Sequence, residues 1–81
     1  MDDLINNSRN KVVGTKQTIK AIENGEVHKV FIARDAEEKV ISPVVTLCEE
    51  KNIEPHYVES MQQLGKLCGI KVKAATAAIK E

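Results

Sequence analysis

The residues best placed to do chemistry lie in one heptad, Gly14-Thr15-Lys16-Gln17-Thr18-Ile19-Lys20. A glycine turn stands directly before a helical stretch. The helix therefore opens with unpaired backbone N–H groups and a partial positive charge, a setting in which anions bind. Thr15 and Thr18 are suited to cap that end or reach a phosphate, and Gln17 both donates and accepts, as reading a base edge requires. Lys16 and Lys20 stand one turn apart and flank the same spot. The competing explanation of the heptad is an ordinary capped helix with solvated lysines. Catalytic chemistry finds less to work with. His28 and His56 are far apart, as are Cys48 and Cys68, and no Cys-x-x-Cys, His-Glu-x-x-His or Gly-x-Ser-x-Gly occurs. Gly14 lacks the second glycine and the lysine–serine ending of a phosphate loop. Both cysteines read as small core hydrophobes, and Glu49-Glu50 as a solvated pair at a helix end. No catalytic residue, metal ligand or cofactor site emerges, and a non-enzymatic protein is expected.

Composition sharpens the class of binder. The 81 residues hold one domain, 1–81, and the 42% hydrophobic content suits a globular chain. No apolar run approaches the roughly 20 residues of a membrane helix, and Met1-Asp2-Asp3 opens no signal peptide. A soluble, cytoplasmic monomer with no membrane partner is therefore expected. Twelve Lys and Arg balance twelve Asp and Glu, which by itself argues against a nucleic-acid partner. The distribution argues the other way. Arg9, Lys11, Lys16 and Lys20 occupy 9–20 without an acid, and Lys66, Lys71, Lys73 and Lys80 occupy 60–80 without one, while 21–59 holds nine acids against four bases. A fold that joins the two basic segments makes one cationic face on a neutral protein; otherwise the blocks sit solvated by chance. Phe31 and Tyr57 are the only aromatic rings besides the histidines, too few for a base-stacking sheet or a single-strand groove. Recognition then falls to a helix end, lysines and backbone against a structured RNA.

The elements that must position these residues follow from pattern. Asp2 or Asp3 caps a short helix to about Asn10. Val12-Val13 reads as a strand ending at Gly14, and Thr15 to Asn24 as a helix with Ile19 and Ile22 on its buried face, stopped at Gly25. Val30-Phe31-Ile32-Ala33 suits a strand buried on both faces. Ser42-Pro43 reads as a helix start, with Val44, Leu47 and Cys48 as its apolar stripe and Asn52 as a left-handed stop. Tyr57-Val58 reads as a strand, and Ser60 with Gln63 as a capping box opening a helix through Leu64 and Leu67 to Gly69. Ala74 to Ile79 is ambiguous, because its alanines favour helix while its period allows strand. This order gives an α/β sandwich with helices on both faces of a sheet.

Three motifs in order resemble a known family: the heptad 14–20, the strand Val30–Ala33 followed by Asp35, and Leu64-Gly65-Lys66-Leu67-Cys68-Gly69. From about residue 4 to 79 the chain is similar to the kink-turn RNA-binding ribosomal proteins of archaea and eukaryotes, the "L-seven-Ae" family, and most similar to its small bacterial ribosomal-protein-like members of the YbxF type. The resemblance implies a three-layer α/β/α sandwich around a four-stranded mixed sheet, with Ala74 to Ile79 as a strand. It implies binding to kink-turns, duplex RNA bent at a short bulge beside tandem sheared G·A pairs, in a ribosomal RNA or a messenger RNA element. Gly14, Thr15, Lys16, Gln17 and Lys20 would face the G·A pairs and adjacent phosphates. The loop Gly69-Ile70-Lys71-Val72-Lys73 would cover the bulged nucleotides with Ile70 and Val72, bringing Lys71 and Lys73 alongside. Many members carry Asn-Glu where this chain has Lys16-Gln17, so the resemblance implies an altered RNA preference. A small protein-interaction module that keeps a degenerate RNA site, using the acidic stretch 35–59, is the alternative.

Overall fold

Four short strands, β1 (Lys11–Val13), β2 (Val27–Ala33), β3 (His56–Val58) and β4 (Thr76–Lys80), form one mixed sheet in the order β1-β4-β2-β3. The computed structural model describes residues 11–25 and 27–80; the helix expected up to Asn10 lies outside them. β4 is central and pairs antiparallel with β1 and β2, while β2 and β3 run parallel, with Ile32 opposite Tyr57. Thr76, Ala77, Ala78 and Ile79 of β4 are all buried. Burial on both faces overrides the helical preference of this alanine-rich segment, because small side chains let helices approach from either side.

Three helices cover the sheet among the described residues: α1 (Thr15–Glu23), α2 (Glu38–Glu50) and α3 (Met61–Leu67). Ile22 of α1 and Val44 and Cys48 of α2 pack with Val30, Ile32 and Ala78 on one face. Leu64 of α3 and Cys68 pack with Ala33, Val58, Ala77 and Ile79 on the other. Successive residues of β2 thus serve opposite cores, as alternating strand side chains must, and the result is the expected α/β/α sandwich. Parallel β2 and β3 need a crossover, which α2 provides. The carboxyl ends of β1, β2 and β3 consequently meet the start of β4 at one end of the sheet.

The start of α2 differs from the sequence expectation. The helix begins at Glu38, and Pro43 lies inside it. The apolar stripe begins with Ile41, which packs on the same core as Val44, Val45 and Cys48, so burial draws the extra turn into the helix. Pro43 has no N–H for the carbonyl of Lys39, and both residues are exposed. The predicted stop holds. Asn52 is left-handed at φ 59, and the N–H groups of Asn52 and Ile53 close on the carbonyls of Glu49 (3.3 Å) and Cys48 (2.8 Å).

α3 is capped twice. The Ser60 hydroxyl accepts from the Gln63 N–H at 3.0 Å, and the Asp35 carboxylate, from the turn after β2, accepts from the Met61 N–H at 2.7 Å. Ser60→Ala is expected to cost about 1 kcal/mol, lowering the melting temperature by roughly 4–8 °C. Asp35→Ala should act in the same direction, which thermal unfolding of the two variants checks.

Candidate nucleic-acid interface

The heptad folds as its spacing predicts, with two revisions. Gly14 is the N-cap residue of α1, at φ 103 and ψ 153, and no side chain among the described residues caps the helix. A left-handed φ is the reason a glycine stands there. The Gly14 N–H donates to the Thr76 carbonyl at 2.9 Å, and the Thr18 N–H donates back to the Gly14 carbonyl at 2.9 Å. The N–H groups of Thr15, Lys16 and Gln17 have no acceptor among the described residues. These groups, at the positive end of the helix dipole, face outward with the exposed side chains of Lys16, Gln17 and Lys20.

Thr18, expected to reach a phosphate, is instead fully buried. Its hydroxyl lies 3.3 Å from that of Thr76, which also approaches Thr15 at 3.5 Å. The helical period explains this, since Thr18 and Ile22 share a face one turn apart. Thr15 is half-buried and turned towards that cluster.

The second basic segment returns to the same end of the sheet. After α3, the chain turns at Gly69, where the Ile70 N–H donates to the Gly65 carbonyl at 3.1 Å, and runs back alongside α3. The Ala74 N–H then meets the Met61 carbonyl at 3.1 Å, and β4 begins at Thr76 beside Gly14. Lys71, Val72 and Lys73 are exposed, Val72 at 69%, while Ile70 packs partly into the α3-side core. The tie between the two segments runs through the Gly14–Thr76 backbone bond and the threonine hydroxyls. Among the described residues no hydrogen bond or ion pair joins a side chain of 16, 17 or 20 to one of 70–73.

Not every lysine of the basic segments belongs here. Lys11 is used structurally, its ammonium donating to the Cys68 carbonyl at the end of α3. Glu49 and Glu50 close α2, at the end of the sheet away from Gly14.

Sequence reading places Lys66 in the second basic segment but assigns neither it nor Gln62 to the site, and both line one groove with Ile70, Lys71, Val72 and Lys73. The available signal was their spacing of four on the exposed side of α3.

Both thiols are buried, and burial pushes each of them above the ordinary 9.0; Lys11 partly opposes this at Cys68. Thiolate is the reactive form. Native protein is therefore expected to label slowly with a thiol reagent and unfolded protein fast. The folded state holds both protons more tightly than the unfolded chain. The contribution of these two thiols to stability is then full below pH 9 and is lost as the pH rises through the raised values, which denaturant titrations at pH 7 to 10 would read.

Residues 2–81 match the family described as ribosomal protein L7Ae/L30e/S12e/Gadd45. An RNA-binding protein of Caldanaerobacter subterraneus subsp. tengcongensis is 53% identical over 68 residues, 84% of this chain and 83% of that one. The RNA-binding protein YbxF of Geobacillus stearothermophilus is 46% identical over 68 residues, again 84% and 83% of the two chains. In fold, the 15.5kD RNA binding protein of Giardia lamblia superposes with a TM-score of 0.90 at 23% identity, over 99% of this chain and 70% of that one.

Proposed function

We propose that this chain, which belongs to the ribosomal protein L7Ae/L30e/S12e/Gadd45 family, is an RNA-binding protein that recognises kink-turns and stabilises their bent form. The observation that carries the proposal is the meeting of two segments at one end of the sheet. The free N–H groups of Thr15, Lys16 and Gln17 open α1 there, and the Lys71–Lys73 loop enters β4 beside them through the 2.9 Å bond from Gly14 to Thr76. The names of relatives at 46–53% identity support RNA as the ligand.

The physical case for a kink is the shape of RNA. A regular A-form duplex hides its base edges in a deep, narrow major groove. A sharp bend opens that groove, and a helix N-terminus reaches the guanine edges of the sheared G·A pairs. Gln17 then reads a base edge, Lys16 and Lys20 neutralise the flanking phosphates, and Ile70 and Val72 cover the bulged nucleotides. The protein favours the bent RNA by its higher affinity for that form. The family's ribosomal members favour a ribosomal RNA or messenger RNA element as target, bound by one copy of this single domain in the cytoplasm.

Calorimetric titration into a kink-turn RNA at about 150 mM salt tests the reading, with the same RNA carrying Watson–Crick pairs in place of the G·A pairs as control. Tight binding to the first and weak binding to the second is the expected result. Equal or absent binding refutes kink recognition and favours the protein-interaction reading.

A further inference from the structure

An open groove of about 800 Å³ runs between the exposed side of α3 and the loop that follows it, lined by Gln62, Lys66, Ile70, Lys71, Val72 and Lys73. A second depression, lined by Ser60, Gln62, Gln63 and Lys66, shares two of these residues and continues along α3. Among the described residues neither lining contains a carboxylate, whereas the depression at the start of α2 is lined by Glu37, Glu38, Lys39 and Ser42. Lys66, Lys71 and Lys73 have no ion-pair partner among the described residues; the one ion pair there joins Lys39 and Glu37. Three like charges gathered without a counter-charge repel one another until an anion arrives.

The groove also lies on a different layer from the heptad. α1 covers one face of the sheet and α3 the other, so an RNA seated at the shared end meets both. We infer that the RNA contact extends onto α3, where the groove holds the sugar–phosphate backbone of the strand leaving the kink. Lys66 neutralises a phosphate together with Lys71 and Lys73. The Gln62 amide, which donates and accepts as a hydroxyl does, pairs with a ribose 2′-hydroxyl, a group displayed along A-form RNA. Such contacts fix position and carry no sequence information. This assignment rests on the RNA-binding reading above and adds two residues outside the heptad and the loop.

The test is a salt titration of affinity for a kink-turn RNA. Lys66→Met keeps most of the length of the unbranched side chain and removes its charge. It should weaken binding about five- to tenfold near 150 mM salt and lower the slope of log K against log salt by close to one. Gln62→Ala should weaken binding severalfold at every salt concentration with the slope unchanged. Lys51→Met, just past the far end of α2, should change neither quantity. A wild-type affinity and slope for Lys66→Met overturns the inference, as does a loss of affinity that is the same at all salt concentrations. Gln17→Ala measured in parallel separates the two ideas. If Gln17→Ala weakens binding and Lys66→Met does not, the groove is refuted and kink recognition stands. If only Lys66→Met acts, the groove binds RNA and the heptad does not read a kink.

Discussion

Gly65→Ala is expected to lower RNA affinity about tenfold and to destabilise the fold as well. Propensity alone predicts the opposite for stability, because alanine is favoured over glycine inside a helix by about 1 kcal/mol. Space decides the sign. A Cβ built on Gly65 would lie 2.1 Å from the Val72 carbonyl oxygen, 3.1 Å from the Val72 carbonyl carbon and 3.4 Å from the Lys73 Cα. All three neighbours are backbone, so no side-chain rotation relieves the clash. Either α3 shifts away from its core of Leu64 and Cys68 or the loop lifts off α3. Overpacking of this kind costs typically 1–3 kcal/mol, more than the helix gains. The loop is the softer partner, since Lys71, Val72 and Lys73 are exposed, and its displacement moves the residues proposed to cover the bulge. Asn52→Ala supplies the contrast. It strains a left-handed position at φ 59 by about 1–2 kcal/mol, at the far end of α2. Thermal unfolding and RNA titration together should show Asn52→Ala losing stability alone and Gly65→Ala losing both. An RNA affinity unchanged in Gly65→Ala would remove the loop from the interface.

The same glycine shows what the sequence discloses and what it withholds. Local chemistry reads directly. The Ser60–Gln63 cap, the left-handed Asn52 and the apolar strand Val30–Ala33 each depend on a few adjacent residues, and each stands in the structure, although Phe31 within that strand is only partly buried. Features set by contacts across the chain do not read this way. Pro43 looks like a helix start until Ile41 is seen to need burial one turn earlier. Ala74 to Ile79 is ambiguous between helix and strand until Thr76–Lys80 forms the central strand, and the family resemblance decided for strand. At the candidate interface the heptad was legible because its chemistry is contiguous. Its partner Thr76 is about sixty residues away along the chain, so neither the bond that orders Gly14 nor the burial of Thr18 was visible. Gln62 and Lys66 escaped for a related reason. On their own they are ordinary exposed helix residues, and they acquire a role only when the loop folds back beside them.

Gln17→Ala and Lys20→Ala are each expected to weaken binding to a kink-turn RNA by roughly 1–3 kcal/mol, a loss of several-fold to about a hundredfold. Both side chains are exposed on α1, and alanine is at least as good a helix former, so the melting temperature should stay within a few degrees of wild type. The two losses should differ in kind. Lys20 acts through charge, so its removal lowers the salt slope and weakens binding to kinked and control RNA alike. Gln17 acts through hydrogen bonds to a base edge, so its removal leaves the slope intact and erases the preference for G·A pairs. Gln17→Glu completes the comparison. A carboxylate at the third position of α1 gains from the helix dipole and accepts more strongly from guanine N–H groups than an amide does. It also brings negative charge towards phosphates, which Lys16 and Lys20 on either side partly offset. The variant should therefore discriminate more sharply between kink-turn and control RNA than the wild type does. Equal discrimination by Gln17→Ala, wild type and Gln17→Glu would mean that residue 17 reads no base edge, and that the lysines alone hold the RNA at this helix end.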